Sequence, residues 1–305
     1  MSDYDVAADS PMPHAEGQKF RPHNDVFFFS GLFVLSGAYV FLVCGMLLAN
    51  VVFTFAGEGP VEPVLDPQFA AEHPVMSAIF DNALFAALAK PEIQYSLALS
   101  LISCTITTIL ALWVAVPIGY LMSRFSFRGK AFIDAVLDIP IVLPPLVVGL
   151  CLLIMFRFAP FSFFSRYVVF EIPGVILAQF MVAAAFAVRT MRATFDQISP
   201  RQEHVAVTLG CSTGQAFWRV ALPQAGRGVL TAGTLAWARS LGEFGPILVL
   251  ASTTRLRTEV LPTSVFLELQ AGNLKAALAV SLIMIVFAMA ILVLARLMGV
   301  RQTLA

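Results

Sequence analysis

Charge is scarce in this sequence. Asp, Glu, Lys and Arg make up 12% of its 305 residues, where a soluble domain carries about 25%. The two signs cancel to a formal net charge of zero, so no field of one sign exists to gather nucleic acid or an acidic substrate. The four cysteines, Cys44, Cys104, Cys151 and Cys211, are scattered. None forms a Cys-x-x-Cys pair, so they read as small hydrophobes and not as a disulfide framework or a zinc site. His14, His23, His73 and His204 have no metal-ligand spacing. No Gly-x4-Gly-Lys-Ser/Thr occurs, and Phe127-Arg128-Gly129-Lys130-Ala131 lacks both the first glycine and the hydroxyl. A nucleotide used by this protein would be bound by another chain. His-Glu-x-x-His, Ser-His-Asp and paired catalytic carboxylates are missing as motifs, so an enzyme is not expected, nor a metal or cofactor held by this chain.

What fills the sequence is hydrocarbon. Hydrophobic residues make up 59% and the mean hydropathy is +0.84, which places most of the chain in lipid. Apolar runs near Val26–Ala56, Ile93–Met122, Ala131–Phe156, Ile172–Thr190, Gly226–Ala251 and Leu274–Met298 each suffice for the about 20 residues that a bilayer core requires. The expected fold is therefore an all-α membrane protein with six transmembrane helices. Residues 1–25, polar with Pro11, Pro13 and Pro22, read as a disordered tail. Residues 57–92 read as an external loop in which Ile79, Ala83, Leu84 and Ala87 mark a helix lying on the membrane surface. Residues 252–273 read as a polar outer loop, with Asn273 as the cap of the last span. Arg124, Arg128, Lys130, Arg189, Arg192, Arg201 and Arg219 gather in the short segments of one side. The positive-inside rule makes that side cytoplasmic and puts both termini there.

One cytoplasmic segment is not a floppy linker. Residues 202–223, QEHVAVTLGCSTGQAFWRVALP, alternate helix formers with Gly210 and Gly214 and end on Leu222-Pro223. Val205 and Leu209 are four apart and share a helix face. A short helix-turn-helix with small and apolar residues on one side is suited to insertion into a partner. The segment resembles the coupling loop of membrane subunits of ATP-binding-cassette importers. That motif reads Glu-Ala-Ala, three residues, Gly, nine residues, Ile-x-Leu-Pro. Counted from Gly210, its second Ala falls on Ala206 and its end on Val220, Leu222 and Pro223; His204 and Val205 stand where the motif has Glu and Ala, and Glu203 lies one residue early. The text from Ser96 to Gly299, with VRTMRATFDQISP, GEFG and LPTSVFLELQAGN, is similar to the molybdate, tungstate and sulfate branch of these permeases.

The resemblance implies a type I importer fold, a homodimer in the prokaryotic inner membrane, separate ATPase subunits that bind ATP and Mg, and an external substrate-binding protein. By its residue pattern the chain divides into the tail 1–25, an N-terminal span and loop 26–92, a permease core 93–299 that contains the coupling loop 201–223, and an end 300–305, and the resemblance covers the core and not the first ninety or so residues. Glu203, His204, Val205, Ala206, Leu209, Gly210, Val220, Leu222 and Pro223 become candidate ATPase-coupling residues. An ion-coupled secondary transporter, or a permease for another small solute, stays open. The first would work without an ATPase and would call for inverted repeats, of which none is visible.

Inside the spans the chemistry is sparse. Pro140, Pro144 and Pro145 interrupt the third span, and proline breaks persist in lipid where they are buried or face a cavity. Arg239 and Glu243 lie four apart in the fifth span and can pair, with Thr231, Thr234 and Ser240 close by as hydroxyl donors for an oxyanion; with Pro140, Pro144 and Pro145 these are the candidates for the translocation pathway, the alternative being a packing kink and a structural ion pair. The hydroxyls of Ser96 to Thr108 read as packing glue between helices. Asp134 and Asp138 are expected to be capping charges or partners for Arg124 and Arg128.

Overall fold

A computed structural model describes residues 26–56 and 83–304. The expected tail 1–25 and most of the loop 57–92, with Ile79, lie outside the described residues. Every regular element among the described residues is a helix. The chain divides into two units, Met1–Ala49 and Asn50–Ala305. Most of helix α1 (Val26–Ala56) belongs to the first. It is apolar all round, with Phe33, Leu35, Tyr39 and Phe41 exposed. At about 1.5 Å per residue it is longer than the roughly 30 Å hydrocarbon core.

The second unit is built on α3 (Pro91–Arg124) and α6 (Ile172–Gln197), preceded by the short α2 (Ala83–Ala89). α3 buries Ser96, Ser100, Cys104, Thr107, Ala111, Ala115 and Gly119, small residues at helical spacing. They let α6 come close: a Cβ on Gly119 would lie 2.7 Å from Met191 Cβ. In lipid, where burial of hydrocarbon gives little driving force, such close packing and hydrogen bonds hold helices together. Thr107 Oγ1 donates to Gln179 Oε1 at 3.1 Å, and the Leu261 N–H donates to Ser100 Oγ at 2.8 Å. Of the span-two hydroxyls, Ser100 and Thr107 thus bridge to other helices, while Ser96, Ser103, Thr105 and Thr108 donate to carbonyls of their own helix.

The third span is interrupted, as its Pro144–Pro145 pair implied. It is two helices, α4 (Lys130–Val142) and α5 (Pro145–Met155), bent by 112°. Leu143 and Pro144 each precede a proline and are extended, with ψ of 139° and 134°; the ring that follows excludes the helical region. Pro140 sits inside α4 without ending it. Asp134 and Asp138 of α4 pair with Arg192 and Arg189 of α6, not with Arg124 and Arg128. α4 is tied to α6 by these pairs, while Arg124 is engaged elsewhere.

The coupling segment follows as α7 (Arg201–Thr208), α8 (Thr213–Ala216) and a π-helical turn over Phe217–Ala221. The fifth span is also broken. α9 (Gly226–Leu241) stops at Gly242, and α10 (Gly245–Leu250) starts after Phe244. Gly242, Gly245 and Pro246 carry the stop signal. Residues 252–273 are not a plain loop, because α11 (Leu261–Gln270) forms there with Leu261, Thr263, Ser264 and Glu268 buried. α12 (Leu274–Leu304) closes the unit, and Asn273 Oδ1 accepts the Ala276 N–H at 3.2 Å, the cap expected of it. Four described helices are long and apolar enough to cross a membrane, or five with the bent pair as one span. The expected fifth span, 226–251, is the one of the six that is not counted, because it is split and carries Arg227, Arg239 and Glu243.

Candidate functional site

The candidate coupling residues come together as one loop. Leu209 caps α7, and Gly210 follows with φ +96°, the left-handed value that glycine takes at least cost. The Cys211 N–H bonds to Ala206 O and the Gly210 N–H to Val207 O, both at 3.0 Å. This pair of bonds is the Schellman closure of a helix end. Two residues on, Ser212 Oγ accepts the Gln215 N–H and Gln215 Oε1 accepts the Ser212 N–H, a capping box that starts α8. The Ser-x-x-Gln spacing signalled that box in the sequence.

Side chains on the loop divide by chemistry. Val205, Val207, Leu209 and Trp218 are exposed, Leu209 by 81% and Trp218 by 68%. His204, Gly210 and Pro223 are exposed too, whereas Ala206, Val220 and Leu222 are half-buried. A Cβ on Gly210 would meet nothing within 4 Å, so the tip faces outward from the chain. Glu203 behaves oppositely. Its carboxylate is buried, with Arg124 Nε donating to Oε1 at 2.8 Å and the Tyr120 hydroxyl donating to Oε2 at 2.7 Å. Tyr120, Arg124, Val207 and Trp218 were not among the sequence candidates. Val207 and Trp218 had an apolar type in an otherwise polar loop as their signal; Tyr120 and Arg124 had none.

The pathway candidates are only partly joined. Arg239 Nη1 lies 2.6 Å from Glu243 Oε1, with side-chain exposures of 29% and 1%. The pair expected from their spacing is present, and the guanidinium also sits 5.7 Å over the Phe186 ring. No hydrogen bond of good geometry reaches Glu243 Oε1, so the contact is one of charge. Thr231 and Thr234 line an open groove of about 410 Å³ with Leu230, Leu292 and Arg296. Ser240 is buried and donates to Ala236 O at 2.8 Å, roughly 180° round the helix from Thr231.

The two breaks meet. A Cβ on Gly149 of α5 would lie 2.7 Å from Pro246 Cα of α10, and one on Gly245 would lie 3.0 Å from the Leu146 nitrogen. The Pro144–Pro145 break and the Gly242–Phe244 break are therefore packed backbone to backbone, with Glu243 on one of them. Irregular backbone at membrane depth is tolerated where protein or a cavity covers it, and here each break helps to cover the other.

These features define a class: a polytopic helical membrane component with paired discontinuous spans and an outward-facing loop with exposed apolar side chains. The chain belongs to the family described as binding-protein-dependent transport system inner membrane component, whose model matches residues 115–302. Over 161 residues it is 37% identical to the molybdate/tungstate transport system permease protein WtpB of Pyrococcus abyssi, covering 53% of this chain and 62% of that one. A probable molybdenum ABC transporter permease protein of Haloferax volcanii is 35% identical over 66% of this chain and 73% of its own. The sulfate transport system permease protein CysT of Escherichia coli is 28% identical over 64% and 72%. The match spans 62% to 65% of the three archaeal WtpB relatives, less than two thirds of their length. Among solved structures, a bacterial ABC transporter involved in alginate import aligns with a TM-score of 0.66 at 15% identity, over 90% of this chain and 96% of that one. A second, a bacterial alginate ABC transporter in complex with its periplasmic protein, aligns at 0.61 and 17%, over 86% and 95%. Both likenesses show the fold.

Proposed function

We propose that this chain is the membrane-spanning permease subunit of an ATP-driven importer and passes a tetrahedral oxyanion such as molybdate, tungstate or sulfate. Two copies form the pathway. An external binding protein delivers the anion, and two separate ATPase subunits bind ATP and Mg and close on hydrolysis-competent nucleotide. Both termini and the loop 201–223 lie on the cytoplasmic side of the inner membrane. The importer is a two-state device, inward-open or outward-open, and the ATPase biases it.

The exposed apolar tip of the loop carries this reading. Val205, Val207 and Leu209 are exposed on the helix that Gly210 closes, and Trp218 is exposed on the turn that follows. Exposed apolar groups at the end of a short helix, in the compartment that holds ATP, suit the cleft of a partner. The substrate class rests on what the relatives are named for. Within the chain, the paired breaks and Arg239 are the candidate lining, since discontinuous helices place backbone dipoles and few charges where a solute must bind weakly.

Gly210→Asp tests the proposal. It brings a charge into the docked surface and a side chain into a left-handed residue. Uptake is expected to be lost and the ATPase to fall away on co-purification, while the permease still inserts. Full co-purification with normal uptake would refute the docking role of the loop.

A further inference from the structure

The base of the loop is built as carefully as its tip is left open. All three guanidinium nitrogens of Arg124 are engaged. Nε and Nη2 each lie 2.8 Å from Glu203 Oε1. Nη1 donates to Phe195 O at 2.8 Å and Nη2 to Ile198 O at 2.9 Å. Those two carbonyls belong to the C-terminal end of α6 and the residue that caps it, where helix geometry leaves acceptors unpaired. One side chain at the end of α3 therefore closes α6 and grips the first turn of α7. The side chains of Arg124 and Glu203 are 9% and 8% exposed, so solvent does little to weaken the grip.

Tyr120, one turn earlier on α3, repeats the pattern with a ring. Its hydroxyl holds the second oxygen of Glu203. Its ring packs against Phe195 of α6 at 5.4 Å and against Phe217, where the chain leaves the loop, at 4.6 Å between centroids. The loop is thus fixed at its entry through Glu203 and at its exit through Phe217, both to the same end of α3. Between these points nothing comparable ties down Val205 to Gly210 among the described residues.

We infer that Arg124 and Tyr120 form a strap that makes the loop a rigid extension of α3 and α6, and that Glu203 is a positioning residue held inside this chain and not a contact of the ATPase. The inference rests on the coupling role proposed above and adds how the push reaches the membrane. A docked tip transmits force only if its base does not yield. With the strap intact, motion of the ATPase turns α3 and α6 as one body with α7. With the strap loosened, the tip still docks, ATP is still hydrolysed, and less of the motion reaches the spans. Lysine does not replace Arg124, because its three donors radiate from one nitrogen, whereas Arg124 spreads its bonds to the carboxylate and two carbonyls over three nitrogens of a planar fork.

The test uses the full chain with its ATPase and binding protein in proteoliposomes, and reads molybdate taken up per ATP hydrolysed. Arg124→Lys is expected to lower that ratio about tenfold. Tyr120→Phe, which removes one oxygen and spares the fold, is expected to lower it about threefold. In both variants the ATPase co-purifies and hydrolyses ATP as in wild type. Leu209→Asp at the tip should instead lose the ATPase. If Leu209→Asp keeps the ATPase, the docking reading fails and the strap falls with it. If Leu209→Asp loses it but Tyr120→Phe and Arg124→Lys keep the wild-type ratio, the strap alone is refuted. Loss of co-purification by Glu203→Gln but not by Arg124→Lys would make Glu203 a partner contact and overturn the inference.

Discussion

The loop at 201–223 and the paired breaks at 143–145 and 242–244 depart from regular helix in opposite ways. The loop buries polar groups at its base and exposes apolar ones at its tip. The breaks bury bare backbone against bare backbone, with a single charge pair beside them. In the loop every buried polar atom of the anchor has a partner. In the core Glu243 Oε1 has charge contact without a hydrogen bond. A satisfied network suits a part that must stay stiff. A break whose polar groups are only partly satisfied suits a part that must exist in two arrangements at similar energy. In the importer proposed above, force transmission falls to the first region and conformational change to the second.

The largest effect that would sharpen this contrast concerns Arg239. Arg239→Met leaves Glu243 charged and buried alone, which costs about 3–5 kcal/mol. Folded yield should fall steeply, and Arg239→Met with Glu243→Leu should recover it. Equal loss in the single and double variants would deny the pair its structural role. Recovery of yield without recovery of uptake would place the pair on the pathway.

Next in size is the backbone contact between the breaks. Gly149→Ala puts a Cβ 2.7 Å from Pro246 Cα, and neither backbone can swing aside as a side chain would. Overpacking of this kind costs about 1–3 kcal/mol. The apparent Tm in detergent should drop, and uptake should fall further than stability explains. An unchanged Tm would mean that the breaks are not pressed together.

The smallest effect lies outside the spans. Glu259, between α10 and α11, is buried; Oε1 accepts from Ser264 Oγ at 2.7 Å, while Oε2 has no partner. Burial pushes its carboxyl above the usual glutamate range; Ser264 and Arg255 oppose that, and Glu268 and Glu92 add to it. A raised carboxyl favours the folded state while protonated, so its contribution is full below the unfolded value of about 4.3 and is lost as pH rises through the folded one. Glu259→Gln should therefore gain on wild type in Tm as pH rises above the ordinary glutamate range, then level off. A difference that stays constant with pH would show that Glu259 does not titrate in this way.

The sequence made some of this plain and hid the rest for identifiable reasons. The spans at α1, α3, α6 and α12 stand out because 20 or more apolar residues are a signal of composition, which needs no partner. The loop was legible through its resemblance to the importer motif, carried by Ala206, Gly210 and Leu222-Pro223, and the φ of Gly210 agrees with its glycine. The stop at Gly242 was written in Gly-Glu-Phe-Gly-Pro yet was outweighed by the apolar residues on either side. α11 was hidden by Arg255, Arg257 and Glu259 ahead of it, which gave the whole segment a loop-like polarity. Arg124 and Glu203 are 79 residues apart. No local period connects them, and Asp134 and Asp138 were nearer candidates for the same arginine. The contact of Gly149 with Pro246 was equally out of reach, since a glycine in an apolar run looks the same whether it meets a backbone or lipid.

The central claim is that the loop moves with α3 as one body, and a distance measures it directly. Spin labels at Leu121→Cys on α3 and Thr208→Cys at the end of α7, both exposed positions outside the proposed docking contacts, would be placed in a background without Cys44, Cys151 and Cys211, the native cysteines that are not buried. The separation is read in the complete importer, nucleotide-free and trapped with ATP. The strap predicts one narrow distance that changes by less than about 2 Å between the two states, within the range of small helix shifts. A shift of several ångströms, or a distribution that broadens on ATP binding while Arg124 and Glu203 are intact, would contradict it.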